Sequence, residues 1–248
     1  MHRLAPLRAL AGLLTLSLVL PIAAAAEAPV TPARDVRRIR AWNVLVDRKL
    51  LAIDPDGTAR ALELMDAQLA EIEKVVPAEA VEHLRAVPLY VSAEYPGVAP
   101  RAEYHPDADW LRENGRDPAM ARAVEFTNVR TFEAETRRMP NFVLHELAHA
   151  YHHRVLGDGY ANADINAAFE KARKAGLYDS VERRFGDGRL PKVERAYAMT
   201  AAPEYFAEAT EAFFSRNDFF PYTRDDLRRH DPGMCALVGR LWGAPEAR

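Results

Sequence analysis

The sequence predicts an α+β fold in which a small mixed β-sheet packs against one central helix. Two observations support this class: short apolar runs that alternate like strands, and longer stretches in which apolar residues recur at helical spacing. Strand-like and helix-like segments interleave, and no internal repeat, low-complexity tract or clean linker separates them. We therefore expect residues 36–248 to form a single domain, with the helix predicted over residues 141–156 near its centre.

The first half of the domain is predicted to contain one strand and two helices. Apolar residues on both parities of residues 36–51 are typical of a strand that is covered on both faces. The sequence Asp-Pro-Asp-Gly at residues 54–57 predicts a turn. Apolar residues at helical spacing then predict a helix over residues 58–76, which Pro77 ends, and a shorter helix over residues 78–86.

Two further strands are predicted before the central helix. Residues 88–93 and 124–132 are short and rich in β-branched and aromatic residues. Between them, residues 95–120 contain four prolines and two glycines, so this stretch is predicted to be irregular. The second strand comes shortly before the central helix, which favours contact between the two.

The C-terminal part is predicted to be mainly helical. A helix over residues 165–175 is followed by a turn-rich stretch over residues 176–191 and by a short strand within residues 193–199. Residues 203–216 have the strongest helical pattern of this part. A polar turn and two short helices are predicted to close the chain.

The N-terminus has the features of an export signal. A short basic start precedes an apolar run over residues 9–20, and small residues at 24–26 offer a cleavage site. The run is short for a membrane span, which takes about 20 residues, although an uncleaved anchor is the alternative. We expect a signal peptide over residues 1–26, a flexible leader over residues 27–35, and an exported protein that is periplasmic or secreted.

The charge of the chain argues against nucleic acid and anionic lipid as partners, and its cysteine content excludes an intrachain disulfide. Residues 27–248 carry 31 basic and 36 acidic side chains, without a basic patch of the kind that binds nucleic acid or anionic lipid. We therefore expect no nucleic-acid partner and no membrane contact after signal cleavage. Cys235 is the only cysteine, so no intrachain disulfide can form. The oligomeric state is left open.

The most informative motif is H-E-x-x-H, formed by His145, Glu146 and His149. On a helix, residues four apart lie on the same face, so both imidazoles can bind one metal ion. Glu146 projects beside them, where it can act as general base on a water molecule. The motif therefore predicts one Zn²⁺ ion with His145 and His149 as ligands and Glu146 as a catalytic residue.

Neighbouring histidines are poor candidates for the third ligand. His152 and His153 lie about 10 and 12 Å along the helix axis from His145, too far to bind the same ion at about 2 Å. We expect both to be ordinary polar residues near a helix end. His105, in the irregular stretch, is expected to be a surface or hydrogen-bonded loop histidine.

The third ligand is predicted on the helix of residues 203–216. Glu204, Glu208 and Glu211 share one face of this helix, and a solvated acidic face is the simplest explanation for such a triplet. Its flanks are rich in Ala and Phe, however, and carboxylates are costly to bury without a cation or donors. We prefer Glu204 as the metal ligand and Glu208 as the acceptor of a ring N–H from a ligand histidine; the reverse assignment stays open.

A family resemblance connects these two motifs. H-E-L-A-H together with Y-A-M-T-A-A-P-E-Y-F-A-E resembles the catalytic domain of the anthrax toxin lethal factor type of zinc metallopeptidase. The resemblance covers about residues 124–214 and implies that Glu204, the first Glu of the second motif, is the third zinc ligand. It also implies a catalytic role for Tyr197, seven residues earlier, whose alternative is a core tyrosine. The segment between the two motifs does not resemble the family, so the resemblance does not predict the shape of the cleft or the substrate specificity.

The resemblance implies a zincin-like catalytic domain and a hydrolytic mechanism. We expect Glu146 to take the proton of a water whose pKa a bound zinc would lower towards about 7, and Tyr197 to stabilise the developing oxyanion. In zincin folds an extended substrate pairs with an exposed strand edge; residues 124–129 are the candidate edge, and an interior strand is the alternative. The loop over residues 103–110 is a candidate wall of the cleft.

The leading hypothesis is therefore an exported zinc endopeptidase that acts on a protein or peptide. A non-catalytic peptide-binding module on a peptidase fold is a second class, disfavoured because the base and the candidate ligands are all present. A zinc hydrolase of a non-peptide amide is a third class, because its zinc chemistry is the same. The sequence does not identify substrate-binding residues or a substrate.

Overall fold

The computed structural model describes residues 31–244. The predicted signal peptide and residues 27–30 of the predicted leader therefore lie outside the described residues. Seven strands are present in the described part: β1 Arg34–Ile39, β2 Trp42–Asp47, β3 Leu89–Val91, β4 Ala102–His105, β5 Ala123–Phe126, β6 Val181–Arg183 and β7 Lys192–Glu194.

Ten α-helices surround these strands within the described residues: α1 Arg48–Ile53, α2 Pro55–Val75, α3 Ala78–Arg85, α4 Ala108–Glu113, α5 Phe132–Arg138, α6 Phe142–Arg154, α7 Ala163–Ala175, α8 Ala202–Phe214, α9 Arg224–His230 and α10 Pro232–Leu241. Short 3₁₀ turns lie at Pro118–Met120, Val129–Thr131, Gly159–Ala161 and Tyr197–Met199. The predicted α+β class is confirmed. No helix within residues 31–244 has the length and apolar character needed to cross a membrane.

The main sheet has five strands in the order β1-β2-β3-β5-β4. The three central strands are parallel, whereas β1 and β4 run antiparallel to their neighbours at the two edges. The prediction that residues 124–129 form an exposed edge is therefore wrong. Strand β5 is held between β3 and β4, and β4 is the edge strand on that side.

The single strand predicted over residues 36–51 is a hairpin followed by a helix. Strands β1 and β2 are joined by a two-residue turn in which Arg40 has a φ of 53°, so the chain reverses where the apolar pattern alone suggested continuity. The prediction that both faces are covered is also wrong: Trp42 and Val44 on one parity of β2 are fully buried, whereas Val36 of β1 is 70 % exposed. The leader prediction also needs correction, because Arg34 and Asp35 belong to β1, and Arg34 is paired with buried Asp117.

The turn predicted at residues 54–57 is the start of helix α2. The Asp54 carboxylate accepts a hydrogen bond from the Gly57 N–H at 3.0 Å and caps this helix, with Pro55 in its first turn. Helix α2 then ends at Val75, shortly before Pro77, as predicted. Gln68 of α2 is nearly fully buried, and its side-chain oxygen accepts the Val143 N–H at 3.0 Å. Helix α2 is thereby joined to the start of α6.

The stretch predicted to be irregular, residues 95–120, contains β4 and α4. Strand β4 is only four residues long and lies between Pro100 and Pro106, so it contains no apolar run long enough to predict a strand. Its polar members are also misleading, because His105 is buried and hydrogen-bonded to Glu125 on β5 at 3.0 Å. Likewise, the turn-rich stretch 176–191 includes β6, which pairs with β7.

Helix α6 lies at the centre of the described structure. All residues from Phe142 to His152 are buried, since α6 is covered by α2, by β4 and β5, and by α8. The Asn141 side chain caps the helix by accepting the Leu144 N–H at 3.1 Å. The helix carrying H-E-x-x-H is thus a fixed core element rather than a surface helix.

Candidate metal centre

Helix α6 places His145 and His149 side by side, as the motif spacing predicts. Their Nε2 atoms lie 3.2 Å apart, and both side chains are buried except for a small fraction of their surface. The two rings meet edge to face with their centroids 4.9 Å apart. Two nitrogen atoms on a rigid helix are therefore already directed at one point.

Glu204, in the first turn of α8, supplies the third atom. Its Oε2 lies 3.2 Å from His145 Nε2 and 3.3 Å from His149 Nε2. Four-coordinate zinc binds nitrogen and oxygen at about 2.0–2.1 Å, which places tetrahedral ligand atoms about 3.3–3.4 Å apart. The three observed distances match this spacing, and two imidazoles with one carboxylate are a donor set that zinc uses in catalytic sites.

The histidines also determine the charge of Glu204. Burial favours the neutral carboxyl, but the hydrogen-bonding contacts with His145 and His149 outweigh burial and hold the pKa of Glu204 well below its usual value. The third donor is consequently an ionised carboxylate, the form that binds a cation.

Glu146 is oriented by the edge strand of the sheet. The Tyr104 N–H of β4 donates a hydrogen bond to Glu146 Oε2 at 2.9 Å. Burial raises the pKa of Glu146, opposed by the nearby histidines. One carboxylate oxygen is thereby fixed against β4, and the side chain lies beside the three converging atoms, as the motif predicts.

The partner of the second ring nitrogen differs from the prediction. His145 Nδ1 lies 2.9 Å from Glu211 Oε2, whereas its distance to Glu208 Oε1 is 4.0 Å. Glu208 instead accepts a hydrogen bond from the Asn217 side chain at 2.9 Å. The assignment of Glu208 as the acceptor of the ring N–H is therefore corrected to Glu211. Sequence spacing placed both on one helical face but could not tell which one the rotation of α8 brings to the ring.

Tyr197 lies in a 3₁₀ turn rather than in the predicted short strand. Its side chain is 49 % exposed, which excludes the alternative of a core tyrosine. The turn places Tyr197 just ahead of α8, the helix that carries Glu204. Burial of the remaining ring surface raises the pKa of its hydroxyl, so Tyr197 is a neutral donor near pH 7.

A cavity of about 720 Å³ opens beside the three converging atoms. It extends from the metal centre towards the N-terminal end of α6, since its lining includes Phe142 but no residue of that helix after Glu146. The edge strand forms one wall and the β6–β7 hairpin another. Glu103 and Tyr104 contribute to the first wall, so the wall predicted over residues 103–110 is confirmed at its beginning.

The other two histidines of α6 have different surroundings. His152 is fully buried between Tyr160 and Phe206, which corrects the expectation of an ordinary polar residue at a helix end. His153 Nδ1 lies 2.8 Å from the Tyr104 hydroxyl. Neither ring contributes to the two clusters of possible metal-binding side chains found among the described residues.

Comparison with known proteins gives one structural similarity. The PRO-PRO endopeptidase (PPEP-2) from Paenibacillus alvei is 19 % identical to this chain, with a TM-score of 0.43, over 74 % of this chain and 90 % of that one. No protein-family model and no curated protein matches the sequence. A similarity at this level does not assign a function.

Proposed function

We propose that this chain is a zinc-dependent metallopeptidase with a zincin-like catalytic domain of the lethal factor type. The observation that supports this function most strongly is the convergence of His145, His149 and Glu204 at mutual distances of 3.2–3.3 Å beside Glu146. These three side chains would hold the ion. A bound zinc ion would supply Lewis acidity, which lowers the pKa of a coordinated water and polarises a carbonyl group.

Glu146 moves the proton in this reaction. Its Oε2 accepts the Tyr104 N–H, so Oε1 is the oxygen that is free to take a proton from the attacking water. Glu146 then passes this proton to the leaving amine. Because β4 fixes the carboxylate, the base needs no rearrangement before it acts.

Tyr197 donates a hydrogen bond to the developing oxyanion. Its half-exposed side chain lines the same cavity as His145 and Glu146, and its hydroxyl keeps its proton near neutral pH. A donor that is already in place where negative charge develops lowers the barrier without reorganisation.

The substrate is a protein or peptide that adds to the free edge of β4. The carbonyls of Arg101 and His105 accept hydrogen bonds from the N–H groups of Thr127 and Arg122, which flank β5. Because successive residues of a strand direct their main-chain groups to opposite sides, Ala102 and Tyr104 direct theirs away from β5. The Tyr104 N–H is taken by Glu146. The N–H and C=O of Ala102 and the C=O of Tyr104 therefore serve an extended substrate by strand addition.

Export by the N-terminal signal is part of the proposal. Residues 9–20 and the small residues before Glu27 support it. N-terminal sequencing of the exported protein should give a chain that begins at Glu27. A chain that keeps its first residues in the membrane fraction would instead favour an uncleaved anchor.

Cleavage of a peptide library by residues 27–248 tests the function. We expect zinc-dependent cleavage by the wild-type chain and none by Glu146→Gln, which keeps the three ligands and the shape of the side chain. The metal content and the thermal unfolding of both proteins serve as controls. Equal cleavage by the two proteins would exclude Glu146 as the base, and an inactive wild-type chain that holds zinc would exclude a peptidase of general specificity.

A further inference from the structure

His145 is contacted by α8 at both of its ring nitrogens. Nε2 lies 3.2 Å from Glu204 Oε2, and Nδ1 lies 2.9 Å from Glu211 Oε2. The two carboxylates are seven residues apart, which corresponds to about 10 Å of helix. That rise is sufficient for one helix to place an oxygen at each end of the same imidazole. Helix α8 thereby holds the ring from two sides.

Glu211 is a costly residue to keep at this position. Its side chain is fully buried, and its other oxygen, Oε1, has no hydrogen-bond partner. An isolated buried carboxylate is strongly unfavourable unless a specific interaction compensates for the lost hydration. The contact with His145 Nδ1 is the hydrogen bond that the structure gives it.

We propose that Glu211 is the positioning residue of His145, and that Glu208 is not. A carboxylate at Nδ1 keeps the proton on that nitrogen, which leaves the lone pair of Nε2 for the ion and fixes the plane of the ring. Glu208 lies 4.0 Å from Nδ1 and is engaged by Asn217. This inference rests on the metal centre of the proposed function, and it adds a residue that the family motif does not contain.

Zinc affinity measured on two matched variants tests this assignment. Glu211→Gln and Glu208→Gln each remove one buried carboxyl from α8 at equal side-chain size. In competition with a chromophoric chelator at one pH, Glu211→Gln should bind zinc about 10–100-fold more weakly than wild type, and Glu208→Gln within about threefold of it. Equal losses, or a larger loss for Glu208→Gln, would overturn the assignment.

The Nδ1-bound proton of His145 provides a second measurement. Its signal should not change if Glu211 only supports the fold. In ¹⁵N-histidine-labelled, zinc-loaded protein, the Nδ1-bound proton of His145 should be observed in wild type and in Glu208→Gln. In Glu211→Gln the resonance of this proton should shift, and the proton should exchange faster with water. An unchanged Nδ1–H signal in Glu211→Gln would contradict the proposal.

If Glu211→Gln does not fold, Glu211→Asp, which keeps the charge but retracts the carboxylate, should show the same loss of zinc affinity.

The outcome separates this inference from the peptidase function. A wild-type chain that binds zinc but cleaves no peptide of the library excludes a peptidase of general specificity, while the order of the two affinities still decides the role of Glu211. A wild-type chain that binds zinc and cleaves peptides, with equal affinities in the two variants, overturns Glu211 alone. A wild-type chain without affinity for zinc overturns both.

Discussion

At the scale of single residues, the proposed chemistry depends on polar side chains that lie between α6 and α8. His145, His149 and Glu204 converge on one point, and Glu146 is fixed beside it by a main-chain N–H of the edge strand. Each of these groups is costly to bury alone and is stabilised by the others. The site is therefore pre-organised, because its members cannot turn away without losing their partners.

Tyr197 gives a direct kinetic prediction. Removing its hydroxyl in Tyr197→Phe should lower kcat by about 10²–10³, since one oxyanion donor is worth that much, while zinc affinity and KM stay close to wild type. Steady-state kinetics on a cleaved peptide measures this. Tyr90→Phe is a matched control, because its hydroxyl bonds to the Ala119 carbonyl outside the cavity. A Tyr197→Phe enzyme with wild-type kcat would remove Tyr197 from the mechanism.

His152 gives a pH dependence of stability. Burial between Tyr160 and Phe206, followed by the proximity of His149, lowers the pKa of His152 to about 4. The unfolded chain binds a proton at about pH 6.5, so between these values the unfolded state binds more protons than the folded state. Stability is complete above about pH 6.5 and falls as the pH decreases towards 4.

The measurable consequence is a difference between pH 7 and pH 5. Protonation of His152 in the unfolded chain should lower the free energy of unfolding by about 2 kcal/mol between pH 7 and pH 5. In His152→Phe this contribution to the pH dependence should be absent. Urea unfolding of both proteins at the two pH values, with a chelator present throughout, isolates the effect from zinc release. Parallel pH dependence of the two proteins would show that His152 is not buried in its neutral form.

At the scale of elements, the edge strand β4 was the hardest to predict and is central to the site. It is four residues long, lies between two prolines, and carries Glu103 and His105 on one face. His105 is buried against Glu125, and Arg116 pairs with the partly buried Glu103 at 2.7 Å and with Glu125 at 3.3 Å. Sequence patterns cannot predict such a strand, because His105 becomes a core residue only through its partner Glu125, which is 20 residues further along the chain.

The ion pairs of Arg116 predict a large stability effect. Arg116→Met should destabilise the fold by about 1.5–3 kcal/mol, because the nearly fully buried Glu125 loses one charged partner while it keeps its hydrogen bonds with His105 and Tyr95. Arg112→Met is the matched control: its pair with Asp109 is exposed, and its loss should cost about 0.5 kcal/mol or less. Urea unfolding at pH 7 measures both. Equal effects of the two substitutions would mean that the Arg116 network does not hold β4.

Local signals predicted the elements that carry the ligands. The H-E-x-x-H spacing is contained within one helix, and the acidic face of residues 203–216 is contained within another, so both were visible without tertiary information. The hairpin turn at Arg40 and the interior position of β5 were missed, because they depend on chain reversal and strand order. The choice between Glu208 and Glu211 was missed for a similar reason, since it depends on how α8 crosses α6.

At the scale of the whole molecule, the cleft lies between segments that precede α6 and segments that follow it. Asp218 is nearly fully buried and pairs with Arg138 of α5 and with Arg183 of β6, the latter at 3.1 Å. Helix α5, which precedes α6, is thereby connected to the β6–β7 hairpin on the opposite wall of the cavity. These ion pairs therefore connect two walls of the cavity near the start of α6.

The zinc content of the purified chain tests the central claim most directly. Residues 27–248, purified without added metal and dialysed at neutral pH, should retain about one zinc ion per chain by elemental mass spectrometry. His149→Ala, which removes one of the three converging donors, should retain far less while remaining folded. A wild-type protein that is folded, stays metal-free at neutral pH and takes up no added zinc would contradict the account.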